Sequence, residues 1–205
     1  MTEAIVHGIV LALGLILPLG VQNIFVFNQG ALHSQFRQAL PVILTASLCD
    51  TLLIGTAVGG LSLVLLSLEW LTAIVYAAGV VFLGYMGWSI WHASAPAQGE
   101  AKRFTRRGQV GYALSVSLLN PHALLDTLGV IGTNSLQYSG LARWVFAGAA
   151  AGVSWIWFLG LAAAGRMLGR LDKAGWFIGW LNRASAVLIW GIALYMGVQL
   201  WESML

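Results

Sequence analysis

The chain has 205 residues, of which 59% are hydrophobic and only 8% charged. So few charges exclude a soluble domain of this size and indicate a polytopic membrane protein. A single cysteine, Cys49, excludes an internal disulfide and any Cys-x-x-Cys pair, and the formal charge of +3 matters less than where its cations sit.

Met1-Thr2-Glu3 lacks the basic start of a secretory signal, and the apolar run behind it continues too far, so a retained membrane helix is expected. Apolar runs and their breaks predict six spans, at 4–27, 39–66, 70–91, 110–131, 144–164 and 184–201. The first carries Pro18-Leu19-Gly20-Val21-Gln22-Asn23, then Phe25 to Gly30. The second carries Ser47-Leu48-Cys49-Asp50-Thr51. Between the third and fourth spans, 93–109 includes Ala95-Pro96-Ala97-Gln98-Gly99 and reads as a linker between two halves, 1–92 and 110–205, of one transmembrane domain. The fourth span holds Asn120-Pro121-His122-Ala123-Leu124-Leu125-Asp126-Thr127. In the fifth, Gly148 and Gly152 form a small-residue stripe, as Gly55 and Gly59 do in the second; packing between the halves explains both better than a dimer seam. Over 166–183, Leu168, Leu171, Trp176 and Trp180 recur opposite Arg170 and Lys173. This spacing suits either a short amphipathic helix on the membrane surface or a basic loop.

Lys and Arg set the orientation. One face holds Arg37, Lys102, Arg103, Arg106, Arg107, Arg166, Arg170, Lys173 and Arg183, the other only Arg143. The basic face is therefore expected to be cytoplasmic, with both termini outside. Topology thus accounts for the basic linker without nucleic acid.

The halves repeat. A shift of about 103 residues places Pro18 on Pro121 and Asn23 on Asp126, and slightly larger shifts relate Gly55 to Gly160 and Tyr85-Met86-Gly87 to Tyr195-Met196-Gly197. Three spans per half is odd, so the fold class expected is all-α, with six transmembrane helices arranged as two inverted three-helix repeats. Interrupted helices at matching positions point to a secondary transporter with a midplane site.

Proline removes a helical hydrogen bond, and an Asp at a helix centre costs about 2.5–3.5 kcal/mol on insertion scales. Such features survive where backbone lines a cavity or packs on protein. The expected substrate and coupling-ion site therefore comprises Pro18, Gln22, Asn23, Asp50, Asn120, Pro121, His122, Asp126 and Thr127. Two acids without an intramembrane Lys or Arg call for a cationic solute or for protons. Asp126, just after a proline, is expected to meet the solute cation, and Asp50 to exchange a proton. His122 is a candidate relay, though packing is its plainer role. No cofactor motif, nucleophile–base pair or metal-ligand cluster is visible, so neither an enzyme nor a metal centre is expected.

Leu19 to Gly30, Cys49 to Ile54 and Asn120 to Thr127 resemble the lysine/arginine exporter family. That family usually has Gly-Pro-Gln-Asn where this chain has Gly20-Val21-Gln22-Asn23, and often a basic residue where Asn28 stands. Asp50 and Asp126 match its acidic positions. The resemblance implies export of L-lysine or L-arginine across the bacterial inner membrane, driven by protons, and leaves a homo-oligomer open. The alternatives are another small solute, such as a neutral amino acid or a metal cation, and a non-transporting subunit of a membrane complex.

Overall fold

The structure, a computed structural model, describes residues 1–17, 20–33, 35–60, 69–92, 105–118, 124, 126–171 and 176–203. Every described element is helical. The first apolar run divides into α1 (Thr2–Ile16) and α2 (Val21–Leu32), whose axes meet at 80°. A 3-10 turn at Phe36–Gln38 leads into α3 (Leu40–Val58), followed by α4 (Glu69–Trp91) and α5 (Arg106–Leu118). A π-helix (Asp126–Ile131) runs into the short α6 (Gly132–Ser135), and two long helices, α7 (Gly140–Leu171) and α8 (Trp176–Ser203), complete the chain.

The local sequence accounts for α3 well. Pro41 lies in its first turn, where a missing N–H breaks no helical bond. Gly60, at φ 97°, follows the helix end in the left-handed region that favours glycine. At 1.5 Å per residue its 19 residues rise about 28 Å, close to the hydrocarbon thickness of a bilayer. Among the described residues, α3 and α7 are each long and apolar enough to cross a membrane, and the bent α1–α2 pair makes a third if it is one span.

α7 is the central helix: α1, α2 and α3 all pack against it. The π-helix and α5 lie against α3, while α4 pairs with α8 and joins the rest through α2 and α5. Two apolar clusters stack along α3 and α7. One joins Ala4, Ala12, Ile54, Val58, Phe146 and Ala150; the other joins Val26, Val42, Ile43, Ala46, Ala113 and Phe158. In lipid, such contacts stabilise through close packing rather than through escape from water.

Glycine sets the closest of these approaches. A Cβ on Gly8 would fall 2.6 Å from the Phe146 carbonyl oxygen, and one on Gly169 2.5 Å from that of Ala31. Gly30 and Gly165 press equally hard on the backbones of Ala162 and Phe27. The stripes singled out from the sequence behave differently. Among the described residues nothing lies near a Cβ built on Gly148 or Gly55, so neither makes the expected close contact there, although the neighbouring Ala149 and Ala150 meet Gly8.

A separate surface helix over 166–183 is not formed among the described residues. α7 continues unbroken through Arg166 and Arg170 to Leu171, and Trp176 and Trp180 begin α8. Long basic side chains at a helix end keep their charges in the interfacial layer without ending the helix. Arg37, Arg106, Arg166 and Arg170 share one end of the bundle, with Arg143 at the other.

Candidate functional site

Gln22 and Asp50 meet at the mid-height of α3, between the two apolar clusters, and Asn23 is the next residue along α2. Gln22 Nε2, in the first turn of α2, donates to Asp50 Oδ1 at 3.1 Å. Ser154 of α7 places its hydroxyl on the same carboxylate. Three helices therefore converge on Asp50. Among the described residues no Lys or Arg pairs with it; its partners are neutral donors. Hydrogen bonds to a charged group contribute about 1.5–3 kcal/mol each, so two donors are of the size needed to offset the insertion cost of the acid. Among the described residues the carboxylate is thus held in place by neutral donors alone.

One residue further on, Thr51 Oγ1 accepts the Trp155 indole N–H at 3.1 Å and donates to the Ser47 carbonyl at 2.7 Å. This second bridge fixes α3 against α7 at the level of Asp50.

Asn23 is 5% exposed and closes the break in the first apolar run. Its Nδ2 donates to the Ile16 carbonyl at 2.7 Å, taking up an acceptor orphaned where α1 ends. Its Oδ1 in turn accepts the Trp157 indole N–H at 3.2 Å. The expected solute-binding Asn23 is therefore engaged in holding the break together.

The second half is seen in part. Asp126 and Thr127 open the π-helix, and Thr127 is half-buried. π-turns loosen the backbone hydrogen-bond ladder and often accompany functional sites. Here Asn134 Nδ2 takes the Val130 carbonyl at 2.8 Å, and the Thr133 hydroxyl donates to the Gly129 carbonyl at 2.5 Å. The π-helix packs on α3. Pro18, Asn120, Pro121 and His122 lie outside the described residues, as does the position of the Asp126 side chain. The Ala95-Pro96-Ala97-Gln98-Gly99 linker lies outside them too.

Ser154, Trp155 and Trp157 carry no motif of their own, although Ser154 and Trp155 lie near the second-half position that answers to Asp50 in the sequence and holds no acid. The signal for both tryptophans was their depth. An indole in the middle of a span needs an acceptor for its N–H, whereas Trp70, Trp91, Trp144 and Trp201 fall at span ends.

Comparison with known proteins adds the family. The model of the LysE type translocators matches residues 13–200. "Putative amino-acid transporter YisU" of Bacillus subtilis (strain 168) is 52% identical over 200 residues, covering 97% of this chain and 91% of its own. The arginine exporter protein ArgO of Pectobacterium carotovorum subsp. carotovorum (strain PC1) is 33% identical over 98% of this chain and 100% of its own. ArgO of Serratia proteamaculans (strain 568) is 34% identical over 97% and 98%. No solved structure matches the chain significantly. With a family match over nearly its whole length and an all-helical, apolar fold, the chain belongs to the LysE type translocators, a family of amino-acid transporters.

Proposed function

We propose that this protein exports basic amino acids, arginine foremost, across the bacterial inner membrane in exchange for protons. The observation that carries this reading is the Asp50 carboxylate at mid-span, held by Gln22 and Ser154 with no paired cation among the described residues. A guanidinium, an ammonium group or a proton would neutralise it in turn. The names of the ArgO relatives, arginine exporters at about one-third identity, support the substrate class.

The proposed site joins Pro18, Gln22, Asn23 and Asp50 of the first half to Asn120, Pro121, His122, Asp126 and Thr127 of the second. Two inverted three-helix repeats would bring these together, and the packing supports that reading. α1 and α2 lie on α7 as α5 and the π-helix lie on α3. Thr51 and Trp155 meet although 104 residues apart, close to the repeat offset. Residues related by a two-fold axis touch each other only beside that axis. In this reading alternating access rocks the halves about the Asp50 level, with six spans, a cytoplasmic basic face and both termini outside.

Counterflow in proteoliposomes tests the function. Vesicles preloaded with unlabelled arginine are expected to take up labelled arginine or lysine and to leave labelled leucine outside. Equal uptake of leucine, or no uptake of any amino acid, would overturn the proposal. Topology is checked separately, with a cysteine at position 98 in a Cys49→Ser background. An impermeant reagent should leave it unlabelled in intact cells, and ready labelling would invert the orientation.

A further inference from the structure

Buried polar side chains are not spread evenly through the bundle. Gln29 (2% exposed) and His33 (7%) sit one turn apart on α2 and just beyond it, Ser47 (0%) lies on α3, and Gln109 and Ser117 (1% each) lie on α5. These three helices pack on one another in the half of the molecule between Asp50 and the basic end. At that end His33 Nε2 lies 2.9 Å from Gln109 Nε2, a contact in which the ring nitrogen accepts from the amide. At the other end Ser117 stands beside the Cys49 thiol, next to Asp50 and its partner Gln22. A band of neutral polar groups thus runs from the basic end to mid-span.

Among the described residues, Gln29 Oε1 and Ser47 Oγ reach no hydrogen-bond partner although both side chains are buried. Protein interiors disfavour such groups, and two in one seam need a reason other than packing. The opposite half offers a contrast: Ala4, Ala12, Ile54, Val58, Phe146 and Ala150 pack there in an apolar cluster, and its buried Ser135 donates to the Gly132 carbonyl.

We propose that the seam between α2, α3 and α5 is the solute path from the basic face to Asp50, closed here by the His33–Gln109 contact. Gln29, Ser47 and Gln109 would serve the ammonium and carboxylate groups of an amino acid in transit. Amides and hydroxyls both donate and accept, so they match either end of a zwitterion without a fixed charge that would retain it. The proposal rests on the transporter reading above and deepens it by giving the solute a route.

Cysteine accessibility tests it. Ser47→Cys and Ser117→Cys, each a one-atom change, are placed in a Cys49→Ser background whose arginine counterflow has first been measured. An impermeant methanethiosulfonate is applied from each side of membrane vesicles. Both cysteines should react from the basic face about tenfold or more faster than Ala186→Cys, a fully buried position between α4 and α8, and saturating arginine should slow them. Rates no faster than that of Ala186→Cys, in protein that still exchanges arginine, would overturn the path and leave the transporter reading standing. Fast reaction that arginine leaves unchanged would overturn its use by solute. Absence of amino-acid exchange in the background protein would instead contradict the transporter reading itself, and the flux assay separates that result from the other two.

Discussion

The segments beginning at Val21 and at Asp126, each following a proline in the sequence, are built differently. The first is a regular α-helix clamped to α7. Asn23 ties it back to Ile16, Trp157 holds Asn23, and Gly30 meets Ala162 backbone to backbone. The second is a π-helix held by Thr133 and Asn134 beyond its end, and among the described residues nothing lies within 4 Å of a Cβ built on Gly129. Among the described residues, the first segment is therefore the more fixed wall and the π-helix the looser one. Fixed polar geometry suits the positioning of a proton-exchanging acid, and a looser backbone suits a solute that must enter and leave.

Substitutions can break this contrast. Gly165→Leu should have the largest effect, since even a Cβ there meets the Phe27 carbonyl. Overpacking of this kind costs about 3 kcal/mol or more, and folded protein should be lost in detergent size-exclusion profiles. Asn23→Ala comes next, leaving the Ile16 carbonyl and the Trp157 indole without their partner. A loss of about 1–3 kcal/mol is expected, seen as a lower melting temperature of the purified protein. Trp157→Phe keeps the ring and deletes one donor, so its cost should be about 1 kcal/mol, and additivity with Asn23→Ala should fail because the two share a bond. On the looser side, Gly129→Ala should be neutral or stabilise by about 0.4–1 kcal/mol, because none of the described residues crowds the added methyl. Equal losses for Gly165→Ala and Gly129→Ala would remove the distinction between the two walls.

Composition and hydropathy were enough to read the all-helical membrane class, and Pro18 with Gly20 marked the break between α1 and α2. Gln22, Asn23 and Asp50 were legible as polar residues at improbable depth, and Gln22 does bond Asp50 while Asn23 bonds the Ile16 carbonyl. Their third partner was not legible. Ser154 and Trp157 sit on α7, and which of its faces meets the break depends on glycine contacts far along the helix, at Gly165 and Gly169. The bond from Asn23 to the carbonyl left at the end of α1 was hidden for a related reason, since a polar stretch does not show which backbone acceptor its amide meets. Arg166 and Arg170 suggested a surface segment, because a charge count says nothing about helix length, whereas α7 runs 32 residues and carries both on its last turns. The His33–Gln109 contact joins residues 76 apart in sequence and has no local signature at all.

The account rests on charge at mid-span, and arginine flux in proteoliposomes with and without an imposed pH gradient tests it most directly when wild type is set beside Asp50→Asn and Asp126→Asn. Gln22 and Ser154 still have an oxygen to bond in Asp50→Asn, so that variant should fold. It should keep arginine counterflow and lose acceleration by the gradient, whereas Asp126→Asn should lose arginine binding and flux under both conditions. Wild-type rates in both variants under a gradient would contradict the charged-site account.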